Sequence, residues 1–327
     1  MADPSTPRVA PVPPGVHVRR PVHDDAAAIV AVVRAAETVA CGHSLAGVGD
    51  VLYDWADPRF SLERDAWVAV NEDGALVAYA YSWATDPTET IDIYGVVHPD
   101  VDERGLDAHL MDIALRRAGE QSAAAGLDAR DVTVSAWCLR GDARRRELYE
   151  RLGFKRTRVF LHMVMAAADL PEPPPWPDGI TATPFRPGLD ERTLHAVLEE
   201  AFLDHFRPRP IPFDVWSAQV LADQDFDPDL VLIARDGDDA AGAVVALTLP
   251  DAGCVVQLGV RRAWRGRGVG TALLVYALHL LAARGCESLS LGVDSESPTG
   301  AADLYRRVGM RPQHENDIYE RALGEGA

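Results

Sequence analysis

Apolar positions recur along the chain with two periods. In "WVAVNEDGALVAYAYSWA" and "LVLIARDGDDAAGAVVALTL", β-rich runs flank an Asp-Gly pair, Asp73-Gly74 and Asp236-Gly237, which is the pattern of a hairpin. Elsewhere the apolar residues follow helical spacing, as in the long run after "RGRGVG" and in "AADLYRRVGM". In the second half the pattern predicts a helix around Leu194–His205, strands Leu230–Arg235, Ala241–Leu249 and Cys254–Val260, and a helix Gly268–Arg284. A strand Ser288–Val293, a helix Pro298–Val308 and a last strand near Ile318–Ala322 follow. Helices alternate with strands, so the expected fold class is α/β, with an α+β mixed sheet.

The same order occurs twice. Asp73 and Asp236, Val97 and Val260, and Gly105 and Gly268 all stand 163 residues apart, a register that chance would not hold over three elements. "RELYERLGFKR" then matches "ADLYRRVGMRP", with Tyr149 and Tyr305 now 156 apart, so the first copy carries seven extra residues before that helix. Between the copies "LPEPPPWPDG" can continue neither a helix nor a central strand. The expected organisation is a disordered lead at 1–16, a first domain at 17–169, a linker at 170–179 and a second domain at 180–327.

Composition narrows the chemistry. Of 327 residues, 47% are apolar and 25% charged, as in globular proteins, and the start has neither a signal peptide nor a membrane span. A cytoplasmic location follows as the expectation. The net charge of −18 disfavours nucleic acid and anionic membrane as partners and favours cationic ligands. Cys41, Cys138, Cys254 and Cys286 are far apart and form no C-x-x-C pair, so buried free thiols are expected, with no metal site. Nothing in the sequence sets the oligomeric state.

Against this acidic background "VRRAWRGRGVG" gathers four arginines and three glycines where a strand meets a helix. Glycines let backbone approach a ligand closely, and a helix amino end presents N–H groups to a phosphate. Arg265 and Arg267 can add charge-assisted contacts, although a solvated turn would use the same residue types. A Walker loop requires Gly-Lys, and the single lysine, Lys155, lies elsewhere; a G-x-G-x-x-G fingerprint would place its third glycine at Thr271. The spacing that does fit is Arg265, Gly268 and Gly270.

On those residues the chain resembles the GNAT superfamily of N-acetyltransferases, whose signature is Q/R-x-x-G-x-G/A. The resemblance extends to "SLSLGVDSESPTGAADLYRRVGM", with Met310 in place of the usual phenylalanine, and both halves are similar to the family, as in its tandem members. It implies acetyl-CoA as co-substrate, held by Leu258, Gly259, Val260, Arg265, Gly266, Arg267, Gly268, Val269, Gly270 and Thr271. In the first copy the positions of Arg265, Gly266 and Gly270 are Asp102, Glu103 and Asp107, with only Arg104 and Gly105 kept, so that copy is expected to be degenerate and structural.

Acetyl transfer needs a neutral amine, stabilised charge on the carbonyl oxygen and a proton for the departing thiolate. The resemblance implies a backbone N–H near Leu258 or Val260 for the second task and Tyr305 for the third; Tyr305 can also be read as a core residue of its helix. Asp294 and Glu296 are candidate bases, or a turn cap and a solvated carboxylate. Where some tandem members carry a glutamate at the start of the fourth strand, this chain has Cys254, and a water relay would serve as well. Asp204, His205 and Trp216 are expected to roof the acceptor site, with His205 open to roles as base, acceptor contact or ordinary helix-end residue. The preferred reading is acetylation of a small-molecule amine by the second domain; a non-catalytic acyl-CoA sensor or scaffold and a protein N-acetyltransferase stand as alternatives.

Overall fold

The computed structural model describes residues 11–325 except positions 45, 87–89, 102–104, 209, 222–225 and 250–251. The first repeat holds strands β1 (Val16–Arg19), β2 (Ala66–Asn71), β3 (Leu76–Asp86), β4 (Thr90–Val97), β5 (Thr133–Leu139) and β6 (Lys155–Ala166). Its helices are α1 (Ala26–Cys41), α2 (Val48–Trp55), α3 (Leu62–Asp65), α4 (Leu106–Ala124) and α5 (Ala143–Arg151). The second holds β7 (Ile180–Pro184), β8 (Val231–Asp236), β9 (Asp239–Thr248), β10 (Gly253–Val260), β11 (Ser288–Asp294) and β12 (Arg311–Ala322). Its helices are α6 (Glu191–Phe202), α7 (Phe213–Trp216), α8 (Val269–Ala283) and α9 (Ala301–Val308). Both Asp-Gly turns form hairpins, with Gly74 and Gly237 at φ of 78° and 60°.

The chain separates into two compact units, one of Met1–Arg158 with Asn316–Ala327 and the other of Val159–Glu315. This division differs from a single cut at 170–179, because each unit is closed by the other repeat's last strand. In the first unit β1 to β5 stand in sequence order and residues Asn316–Ala322 of β12 pair antiparallel with β5. Asp317 is buried there against Arg140 at 2.5 Å. In the second unit β7 to β11 stand in order and residues Phe160–Ala166 of β6 pair antiparallel with β11. The alternation of apolar residues in a closing strand satisfies either sheet, so exchanging two similar strands costs little.

Each unit has its own core beneath its long helix. In the second unit α8 buries Leu273, Leu274, Leu278 and Leu281 against β9, β10 and β11. The first unit buries Leu106, Leu110, Met111 and Ala114 of α4 in the same way. None of the four cysteines forms a disulfide; Cys138 and Cys286 are buried as expected, whereas Cys41 and Cys254 are half-buried. The lead expected at 1–16 falls outside the described residues up to position 10, and Val16 already belongs to β1. No helix among the described residues is long and apolar enough to cross a membrane.

Candidate functional site

The second unit encloses a cavity of about 510 Å³ between β10, β11, α6 and the amino ends of α8 and α9. It exists because two neighbouring strands part. β10 and β11 run parallel and pair only from Gly253↔Leu289 to Val255↔Leu291, although β10 continues to Val260 and β11 to Asp294. On its other edge β10 slips register against β9 between Val255 and Gln257, a bulge that leaves Val256 45% exposed. The Arg261 N–H donates to the Ala241 carbonyl at 3.0 Å, on the β9 side. By strand alternation the peptide edges of Val260 and Leu258 therefore face the gap.

The glycine loop closes one end. Gly266 and Gly268 adopt φ of 73° and 88°, left-handed values that favour glycine, and Gly268 caps α8. A Cβ on Gly270 would meet only Val260 Cγ2 at 3.4 Å and Leu304 Cδ1 at 3.5 Å, so this glycine leaves space rather than relieving a clash. Gly259 is different: a Cβ there would lie 2.7 Å from Ala201 Cβ, so α6 can press onto β10 only over bare backbone.

Nine of the ten residues expected at the cofactor line the cavity: Leu258, Gly259, Val260, Arg265, Gly266, Gly268, Val269, Gly270 and Thr271. Arg267 is not among the lining residues and pairs instead with Asp236 at 3.3 Å. Arg265 lines the cavity with its guanidinium already engaged by Asp204 at 2.5 Å, the Val260 carbonyl at 3.0 Å and the Ala201 carbonyl at 3.2 Å. What the glycine loop presents to the cavity is therefore chiefly backbone. Arg307, which carries no signal in the sequence, lines the same cavity, and its side chain pairs with no described residue.

Tyr305 lies in the cavity wall, buried but for its edge, and burial pushes its phenol up to about 12. The phenol stays protonated at neutral pH, and its hydroxyl makes no hydrogen bond to any described residue and is able to donate. His205 lines the opposite wall, its ring packed on Phe202 with centroids 4.6 Å apart. Burial lowers its pKa, with the Asp294 charge acting against the shift, so it is a neutral imidazole at pH 7.

The remaining expected residues stand elsewhere. Asp204 does not line the cavity: it is clamped by Arg262 and Arg265, both at 2.5 Å, and these hydrogen bonds hold its carboxyl far below the usual range. Trp216 sits in the core beneath α6, packed on His195 and Phe213, because α7 turns its ring inward. Asp294 is buried and accepts the Glu296 N–H at 2.9 Å, capping the turn after β11, while Glu296 is exposed. Val256, Gly292, Thr299 and Leu304 line the cavity without having been singled out. Only the glycine inside "SLSLGVD" carried a signal, since glycine weakens a strand interior.

The acetyltransferase (GNAT) family model matches residues 194–310, which span this cavity. A mycothiol acetyltransferase of Streptomyces griseus is 32% identical over 257 residues, covering 76% of this chain and 77% of its own length. The chain belongs to the GNAT acetyltransferase family. A second mycothiol acetyltransferase, from Acidothermus cellulolyticus, is 30% identical over 80% of the chain and 81% of its own length. Among solved structures, a GCN5-related N-acetyltransferase from Sphaerobacter thermophilus is 31% identical with a TM-score of 0.79, covering 97% of this chain and 98% of that one. A tandem GNAT protein from the clavulanic acid biosynthesis pathway shares the fold at 14% identity and a TM-score of 0.70, over 95% of this chain and all of that one. The GNAT chain is thus an acetyl-CoA-dependent N-acetyltransferase of two-domain type.

Proposed function

We propose that the second unit carries the transfer and that its acceptor is a small-molecule amine. One observation carries this reading: the parted strands β10 and β11, the glycine-capped start of α8, the Tyr305 hydroxyl and neutral His205 converge on one cavity. The α8 amino end, with Gly268 and Gly270, would take the pyrophosphate of acetyl-CoA, leaving the thioester arm to run into the gap. Peptide N–H groups of Leu258 or Val260 would face the thioester oxygen as it gains negative charge; such a donor is typically worth ~3–4 kcal/mol.

His205 takes a proton from the acceptor ammonium, and the freed amine nitrogen attacks the thioester carbon. The carbon–sulfur bond then breaks as Tyr305 gives its proton to the departing thiolate; the acylated nitrogen sheds its second proton, which returns through solvent to the Tyr305 oxygen, and an acetamide and a free thiol are left. Of the bases that the sequence allows, Asp294, Glu296, His205 and a water relay, His205 is favoured because it alone of the side chains lines the cavity. A cavity walled by Phe202 and His205 suits a small amine better than a protein tail, and the two similar proteins from Streptomyces griseus and Acidothermus cellulolyticus are named mycothiol acetyltransferases. Purified chain incubated with acetyl-CoA and a library of primary amines should release free thiol with at least one of them. Tight acetyl-CoA binding without thiol release for any amine would replace this reading with a non-catalytic acyl-CoA sensor.

A further inference from the structure

The face of β10 and β11 turned toward His205 is bare in a way that the rest of the sheet is not. Along β11 the side chains of Leu289, Leu291 and Val293 enter the core under α8, so Ser290, Gly292 and Asp294 point to the other face. α8 covers the first of these faces and α6 the second, and His205 follows α6 with its ring packed on Phe202, so it stands on that second face as well. Ser290 and Asp294 are covered, yet Gly292 between them is exposed, and a Cβ built on it would meet nothing within 4 Å. Val256 lies beside it, 45% exposed on the bulge of β10, and both residues line the cavity.

In the first unit the last ladder pair, Ile93↔Ala136, matches Val255↔Leu291 in the second, so the positions just beyond it, Tyr94 and Trp137, correspond to the bulge of β10 and to Gly292, and there two rings stack with centroids 5.0 Å apart. The same part of the fold can therefore be covered, and in the second unit it is left open. A glycine in mid-strand weakens a sheet and is found where a ligand approaches the backbone closely. A narrow, linear amine would need only a channel and would gain little from a flat floor. A ring lying on Gly292 and Val256 would gain contact over the whole of that floor.

We propose that Gly292 sets acceptor specificity, its missing side chain making the floor on which a ring-borne or similarly broad amine lies while its nitrogen reaches His205. The inference rests on the acetyltransferase reading of this cavity. The test uses the full chain with Gly292→Ala and Gly292→Val, both compatible with strand geometry and with the open space around the position. Melting temperature should hold or rise, and acetyl-CoA affinity should stay within about twofold. KM for cyclic primary amines should rise about tenfold or more in Gly292→Val, with a smaller rise in Gly292→Ala, while KM for linear amines of similar basicity barely moves.

Unchanged KM for cyclic amines, or equal losses for cyclic and linear ones, overturns the assignment while leaving the transferase reading intact. Parallel loss of acetyl-CoA affinity also overturns it, by giving Gly292 to the co-substrate. If the native chain acetylates no amine, both the reading and this inference fall together.

Discussion

The two repeats place the same elements around the same kind of hollow, and they differ in what fills it. Gly105 and Gly268 cap α4 and α8 at φ of 94° and 88°, so both long helices begin alike. Two residues further on, Gly270 leaves the α8 amino end open, whereas Asp107 puts a carboxylate at the α4 end, accepting the Ala108 N–H at 2.7 Å. A helix that already holds its own anion has less to offer a phosphate.

The parted strands show the same contrast. β4 and β5 pair as far as Ile93↔Ala136, and β4 meets β3 without a bulge from Ala78 to Trp83 apart from the hairpin end. Immediately beyond that last pair the rings of Tyr94 and Trp137 stack at 5.0 Å, with Arg145 over Tyr94 at 5.2 Å. The first unit fills with its own side chains the gap that the second keeps for something else. Its own hollow, about 350 Å³, is also smaller. The comparison teaches that one fold can be turned from a binding site into a supporting one by filling two places, a helix end and a strand gap.

The sharpest way to break this contrast is to remove the matched tyrosine hydroxyls. Tyr305→Phe should lower the acetyl-transfer rate ~10²–10⁴-fold with acetyl-CoA affinity and melting temperature nearly unchanged, the usual range for a positioned general acid. Tyr149→Phe in the first unit, where the phenol donates to the Trp137 carbonyl at 3.3 Å, should leave turnover alone and lower the melting temperature slightly. A fully active but destabilised Tyr305→Phe would make the two tyrosines equivalent and remove Tyr305 from the mechanism.

A smaller effect is expected from copying the first unit's carboxylate into the second. Gly270→Asp should weaken acetyl-CoA binding by ~2 kcal/mol, about 30-fold, in a chain that still folds, since the added Cβ makes only ordinary contacts. The native chain should titrate with one tight acetyl-CoA site. Two tight sites, or a Gly270→Asp chain of native affinity, would mean that the helix-end carboxylate does not separate the units.

The mildest test is pH. Burial lowers the His205 pKa, so the neutral form that can accept a proton persists until the pH falls below about 6.5, the ordinary histidine value. The acid limb of kcat/KM should therefore lie below pH 6.5, and His205→Gln should remove it. The unfolded chain protonates first, so this residue also makes stability fall as pH drops through that window. An acid limb that survives His205→Gln would assign the base to another group.

Much of this was legible in the residues themselves. The hairpins, the strand–glycine–helix turn and the 163-residue register are local signals, and their elements lie where the pattern put them, with helix ends shifted by a few residues. What was not legible depends on partners distant in sequence. The exchange of β6 and β12 is invisible because an alternating strand does not name the sheet it joins. Arg265 reads as available for phosphate in the sequence, but α6 and the turn after it bring the Ala201 carbonyl and Asp204 to it. Trp216 stands in a four-residue helix whose spacing cannot say which side faces inward. Asp102, Glu103 and Arg104 lie outside the described residues, so of the substitutions expected to spoil the first site only Asp107 is described.

The exchanged closing strands also set a timetable. Arg140 and its partner Asp317 are separated by 177 residues of sequence, so the first unit cannot complete its sheet as its own repeat leaves the ribosome. At ~5–20 residues per second, it waits roughly 9–35 s for the far end of the chain to be made. Throughout that interval the edge of β5 is open to any other strand, and the order of synthesis, rather than the proline-rich linker, decides when the chain becomes two finished units.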